Sequence, residues 1–432
     1  MRVLDEVSRL ALEGSRPADS LVAWVWRGGS LVLPEPLEII SWSESEESGD
    51  SVKVGRKMSF TVADPGGTLG AWRLDDALGV AGTRLHVAYK IGGAGAVNLC
   101  RVRITDNAPD EVTESRVIDE YGYVEPDGSL EPHKRRVYST RAVVRVDAVD
   151  LTLDADNDKF ESPESPPSGA TVHSEFRRLM SRHFVTVVDP NVPNVLLSSK
   201  LIYERERLEA GQDILSRVGA RYRMGGDGEC QVYVPGGAPV LRIEPDAGLV
   251  SVTRKQSITG LYNRWVVEGK ELADGSKVTA GVSLDSGPLR YDGPHGRVPF
   301  AYSSTMIGSY EQAYAYAQTL RAQFLASLAV ELEISTVPRP ELQAGDRIEV
   351  GCPIAAGHVV YIPGTITSIS RAGDMAPRET RIRVACAYGD VDYALTTTPW
   401  AEHLTGTLPD LTWDRMPGTW GRLPAMTWDD LP

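Results

Sequence analysis

The chain has 432 residues, 42% hydrophobic and 24% charged, with a net charge of −14 and a pI near 5.1. That length calls for about two to four domains, and the acidity excludes a protein that grips the nucleic-acid backbone, which needs basic patches. Four scattered cysteines, Cys100, Cys230, Cys352 and Cys386, argue against a disulfide framework or a zinc site, and no stretch reaches the ~18 apolar residues of a spanning helix.

Residues 1–13 suit a short amphipathic helix, with Val3, Leu4, Val7, Leu10 and Ala11 on one side. Acids lie among these apolar residues, so the segment is not a signal peptide, and the chain is expected to be made in the cytosol. From Leu21 the pattern turns to strands: L-V-A-W-V-W, L-V-L, and S-V-K-V-G-R-K-M-S-F-T-V closing on the turn D-P-G-G. R-L-H-V-A-Y-K-I, G-G-A-G and V-N-L-C-R-V-R-I-T-D read as a hairpin, and R-R-V-Y-S-T-R-A-V-V-R-V-D-A-V-D-L-T-L as a further long strand or pair.

E-S-P-E-S-P-P-S-G (161–169) is a linker, because its prolines prevent helix and ladder alike. After it the period changes. Val172, Phe176, Leu179 and Met180 fit a helix capped by Thr171. A second helix carries Leu208, Leu215 and Val218 on one face, with Gly219 as its stop. R-Y-R-M and E-C-Q-V-Y-V around G-G-D-G (225–228) form a hairpin. The chain then returns to strands, with one helix capped by Ser309 and Gln312 and burying Tyr314, Ala317, Leu320, Phe324 and Leu328. The strand pattern ends near Asp392.

No motif in the sequence marks a catalytic, cofactor-binding or metal-binding residue. Asp154, Asp156 and Asp158 suggest a calcium loop, but Lys159 and Ser165 stand where that loop needs glycine and a bidentate acid, so a solvated acidic loop is expected. His173 and His183 lie ~15 Å apart along a helix axis and cannot share a metal. The glycine-rich stretches do not precede helices and read as turns, not phosphate cradles. Acid pairs such as Glu46 and Glu47 read as surface charge. No nucleophile elbow or H-E-x-x-H is present.

Several stretches, in order, resemble the tail-tip hub proteins of long-tailed bacteriophages. Those hubs include the N-terminal part of tail-associated lysins and, more distantly, the baseplate hub of contractile tails. The stretches are V-W-R-G-G-S-L-V-L-P, R-K-M-S-F-T-V-A-D-P-G-G-T-L, L-C-R-V-R-I-T-D, E-R-E-R-L-E-A-G-Q-D-I-L-S-R-V-G-A, G-L-Y-N-R-W-V-V-E-G, S-Y-E-Q-A-Y-A-Y-A and P-R-P-E-L-Q-A-G-D-R-I-E-V. The resemblance implies an α+β, mainly β fold: two tail-tube-like β-barrel or sandwich domains with a small α+β domain between them and an extended C-terminal tail. The expected division is 1–158, 159–235, 236–395 and 396–432. It also implies a homotrimeric ring at the virion tail tip that adapts a sixfold tube to a threefold end. Expected partners are the distal tail protein, the tape-measure protein and other tail-tip or receptor-binding proteins, with DNA only in transit. No peptidase or spike segment follows the hub stretches, so a structural protein without enzymatic activity or cofactor is expected. A glycan- or receptor-binding tip protein and a cell-wall hydrolase are the alternatives, which a glycan array and zymography would separate.

The last residues repeat T-W-x-x-[LM]-P three times, at Thr412, Thr419 and Thr427, and hold three of the nine tryptophans. Proline closing each unit forbids one continuous helix. The tail reads as a passive end, as tryptophans folded back onto their own domain, or as a docking peptide for another chain. The last reading is preferred, because several weak anchors on one tether gain by effective concentration. Its candidate docking residues are Trp413, Met416, Pro417, Trp420, Leu423, Pro424, Trp428 and Leu431.

Overall fold

A computed structural model describes Arg2 and residues 20–397, apart from 50–51, 92–94, 125–129, 246–247, 257–259, 272–275, 305–306, 355–358 and 375. Side chains are described in the same range except at 111–116, 118–141, 326, 374–378 and 396–397. The expected N-terminal helix and the eight tail docking residues lie outside the described residues.

The chain divides into two compact units that cut across its order. One gathers Met1–Val252, Ile334–Gly351 and Thr365–Val384; the other gathers Thr253–Glu333, Cys352–Gly364 and Ala385–Pro432.

The first unit opens with β1 (Ser20–Arg27), β2 (Ser30–Leu31), β3 (Ile39–Glu47), β4 (Arg56–Asp64) and β5 (Thr83–Ile91). Strict alternation drives them: Leu21, Ala23 and Val25 of β1 are buried while Val22, Trp24 and Trp26 between them are not. The D-P-G-G turn after β4 forms as read, and the Asp64 carboxylate locks it by accepting the Thr68 and Leu69 amides at 2.9 and 2.7 Å. Next come β6 (Gly95–Val124) and β7 (Leu130–Asp150), an antiparallel pair far longer than the hairpin strands the sequence suggests. T-D-N-A-P-D resembles a strand end, yet the ladder passes through it, bulging between Ile104 and Asp106 and pairing Pro109 with Val144. β4 accompanies β7 only to Ala142 and β5 accompanies β6 only to Arg103. Residues 112–124 and 130–141 therefore pair only with each other among the described residues, as a two-stranded ribbon about 40 Å long.

The first unit continues with α1 (Thr152–Asn157), α2 (Val172–Met180), β8 (Thr186–Val188), α3 (Arg207–Ser216), β9 (Arg221–Met224), β10 (Cys230–Tyr233) and β11 (Leu241–Ile243). Thr171 caps α2 as expected, accepting from the Ser174 amide. α3 ends at Ser216, and Gly219 turns the chain at φ +67°. Helices α2 and α3 pack with the β8–β10–β9 sheet around Phe176, Leu179, Leu208, Ile214 and Cys230. A separate core under the large sheet centres on Phe60, Leu85, Tyr89, Val102 and Val146.

Then follow β12 (Leu249–Lys255), β13 (Arg264–Glu271), β14 (Lys277–Ser283), β15 (Pro299–Ser303), α4 (Tyr310–Ser327), β16 (Ala329–Thr336), β17 (Arg347–Pro353), β18 (Val359–Asp374), β19 (Ala376–Ala387) and α5 (Tyr388–Thr397). In the first unit the large sheet runs β18-β3-β4-β7-β6-β5-β1-β2, and β11 pairs β17 in parallel. In the second unit β13 lies between β14 and β15, and α4 covers Trp265 and Val267. Ser309 caps α4, while the Gln312 side chain accepts from the Gly308 amide. Its buried face matches the expected one at Ala317, with Leu320 and Phe324 partly buried, but Ala313 is fully buried in place of the expected Tyr314, which is 40% exposed. Small residues let the helix approach the sheet, and the ring turns outward.

Candidate functional site

Two concentrations of chemistry stand out in the first unit, one open and one closed. The open one is built by period-two strands. Register places Trp24 opposite His86 and Trp26 opposite Arg84, then His86 opposite Arg101 and Arg84 opposite Arg103. The intervening Val25, Leu85 and Val102 fill the core, so these aromatic and cationic side chains share the outer face. Trp26 stacks on His86 with centroids 4.8 Å apart and planes 11° apart. Burial, then Arg101 and Arg84, depress the His86 pKa to about 4, so the imidazole is a neutral ring at pH 7.

The cations of this face differ in their engagement. Asp154 of α1 pairs with both Arg84, at 2.8 Å, and Arg103. Arg27 is tied to the carbonyls of Asp75 and Asp76. Arg101 has no hydrogen-bond or ion-pair partner among the described residues. The expected solvated acidic loop is therefore corrected: Asp154 lies in a helix and pairs two arginines, Asp156 pairs Lys53, and Asp158 pairs His183 and Arg207.

The opposite wall is the G-G-D-G turn, which forms as read but also packs hard against β6. A Cβ at Gly226 would sit 2.3 Å from the Asn98 carbonyl, and one at Gly228 would sit 2.7 Å from Arg101 Cδ. Asn98 Nδ2 donates to Asp227 at 2.7 Å and pins the turn. Val185, 74% exposed, extends this wall. The groove between the walls encloses about 920 Å³, and a smaller one of about 340 Å³ shares Trp26, His86, Arg101 and Asp227 with it.

Cys100 points into the core, where burial pushes its thiol up to about 12. His173 and His183 have separate partners, the Val192 carbonyl at 3.0 Å and Asp158 at 2.9 Å. Among the described residues no group of three or more His, Cys, Asp or Glu could hold a metal ion, and no helix is long and apolar enough to cross a membrane.

The closed concentration corrects the surface-charge reading of Glu46. Alternation on β3 turns Trp42, Glu44 and Glu46 inward and leaves Glu47 exposed. Arg56 meets Glu44 at 3.0 Å and Glu46 at 2.7 Å, and Arg371 of β18 meets Glu44 at 2.9 Å. Arg2 joins at 3.8 Å from Glu46 and donates to the carbonyls of Pro340, Leu342 and Leu99. Burial would raise the Glu46 carboxyl, but Arg56, Arg2 and Arg371 outweigh it and hold the pKa at about 2. Arg2 is lowered to about 10 by burial and by Arg56. These groups are 0–6% exposed and bind one another, so the cluster fastens β3, β4, β18 and Arg2 together.

No protein-family model and no curated protein matches the sequence. Solved structures do share its fold. The tail protein from Neisseria meningitidis MC58 superposes with a TM-score of 0.52 at 11% identity, over 85% of this chain and 96% of that one. The 43 kDa tail protein of prophage MuSo2 from Shewanella oneidensis gives 0.52 at 12%, over 84% and 98%. The mainly β, α+β fold is thus one that phage tail proteins adopt.

Proposed function

We propose that the chain is a structural component of a phage-type tail, without enzymatic activity. In this reading it forms a homotrimeric hub ring in the virion tail tip, adapting a sixfold tube to a threefold end. The observation that carries the reading is the end-to-end fold match, which spans 96% and 98% of two tail proteins and so leaves little of either unaccounted for. Closed rings of this kind act through their interfaces. The ribbon of β6 and β7 supports an assembling role, because an isolated two-stranded ribbon is marginally stable and its unpaired edges call for cover.

The division at 1–158, 159–235, 236–395 and 396–432 belongs to the same proposal, as do its partners: the distal tail protein, the tape-measure protein and receptor-binding proteins. DNA passes through the ring without being gripped, in keeping with a net charge of −14. Trp413, Trp420 and Trp428, with Met416, Leu423, Leu431 and the neighbouring prolines, dock the C-terminal tail onto another chain of the tip. Cross-linking of intact tails followed by mass spectrometry tests the reading through Lys134 on the ribbon. Cross-links from Lys134 to tail proteins are expected; recovery of the chain only outside particles would overturn it.

A further inference from the structure

The groove beside Trp26 has the makings of a receiving site. Trp26 lines it together with Arg101 and Val185, the His86 ring backs Trp26, and Trp24 lines the smaller groove beside it. Its volume of about 920 Å³ falls within the ~300–1,000 Å³ of pockets that enclose ligands. Proline-containing segments dock in aromatic-lined grooves of this kind because their extended backbone loses little entropy on binding. Arg101 on the groove floor holds no partner among the described residues, so an incoming carboxylate meets an uncommitted guanidinium. On the opposite wall Asp227 is engaged by Asn98, and Glu229 by Gln231 at 2.7 Å.

The chain carries a segment with this complement of groups. Each C-terminal unit offers an indole and a proline, and in two of them a carboxylate follows the indole: Trp413-Asp414 and Trp428-Asp429. The last unit adds Asp430, whereas the middle one has Gly421 and Arg422 there. We propose that this groove receives the Thr-Trp-Asp units of the C-terminal segment of a second copy of the chain. An indole lies against Trp26, the next carboxylate pairs with Arg101, and the closing proline holds the peptide extended. The proposal rests on the reading of those units as docking peptides and names their receiver. Charge ranks the units: 427–432 binds best, 412–417 next and 419–424 least.

The test uses the full chain with Trp413, Trp420 and Trp428 changed to Ala, so that its own tail does not compete. Fluorescein-labelled peptides spanning the three units are titrated by anisotropy. Saturable binding of one peptide per groove is expected, in the order given. Trp26→Ala and Arg101→Glu should each weaken it at least tenfold without shifting the melting temperature. Should Trp26→Ala unfold the chain, Arg101→Glu, an outer-face change, decides alone. Absence of saturable binding, binding indifferent to Arg101→Glu, or a cell-wall oligosaccharide filling the groove without displacing peptide would each overturn the proposal. If peptide fails to bind while the triple Trp variant also fails to build tails, the docking reading survives with a different receiver.

Discussion

Glu46→Gln isolates the electrostatic part of the buried cluster, because the amide keeps the shape of the side chain and removes only its charge. In the native chain three arginines, Arg2, Arg56 and Arg371, surround two carboxylates, Glu44 and Glu46, with Glu46 4% exposed. The substitution leaves one carboxylate for three guanidinium groups. A carboxyl held at about 2 instead of 4.5 contributes about 3 kcal/mol at neutral pH. Breaking a buried pair by removing one partner costs about 3–5 kcal/mol by an independent route, so the two figures agree. The folded-state pKa lies below the unfolded one; the contribution is complete above about pH 4.5 and is lost as the pH falls through about 2. Urea unfolding followed by tryptophan fluorescence is the assay, since urea does not screen charge. With a slope of ~3 kcal/mol per molar, the midpoint at pH 7 should fall by ~1 M. The difference from the parent should shrink as the solution is acidified below pH 4.5. Changing Arg2 to Met in the same chain restores the balance of charge, so the double variant should lose less than the two single losses added. A midpoint unchanged within ~0.2 M, or an equal loss at pH 7 and pH 3, would refute the reasoning.

Gly345→Ala should destabilise the chain by about 1–3 kcal/mol, read as a lower urea midpoint. Its φ is +89°, and an added Cβ would lie 1.9 Å from the Tyr233 hydroxyl that bonds Ser48. Cys100, Cys230, Cys352 and Cys386 are all buried, and burial raises the Cys100 thiol to about 12 and keeps Cys352 at about 11. A disulfide reagent should therefore titrate them only after denaturant is added, and rapid reaction in buffer at pH 8 would contradict that burial. Trp413, Trp420 and Trp428 changed together to Ala should leave the unfolding free energy within ~0.5 kcal/mol of the parent. The same change should lower the yield of complete tails, since a buried Trp anchor contributes ~2 kcal/mol or more; normal infectious tails would contradict the docking role.

Local chemistry was the legible part of the fold. Thr171 and Ser309 announce their helices, and G-G-D-G announces its hairpin, because capping and turn formation involve residues a few positions apart. The ribbon was not legible: Asp106, Asn107 and Pro109 are turn formers, and only pairing with β7 carries the strand through them. Helix α1 was hidden by three acids that read as a loop until Arg84 and Arg103 neutralise Asp154. Glu46 sat in visible alternation with Trp42 and Glu44, but nothing near it announces the arginines, and Arg371 lies 327 positions from Glu44. The groove was half legible. Trp24 and Trp26, Arg84 and His86, and Arg101 and Arg103 recur at every second position, which marks one outer face. Its other wall, at Gly226–Gly228, comes from a distant hairpin that only folding brings against Asn98 and Arg101.

The most direct measurement of the central claim is an electron cryo-microscopy reconstruction of the assembled tail, computed without imposed symmetry and fitted with this fold. Three copies in one closed ring at the tip are expected, with the ribbon of residues 112–124 and 130–141 against neighbouring chains. A twofold arrangement, a location along the tube, or particles lacking the chain would contradict it.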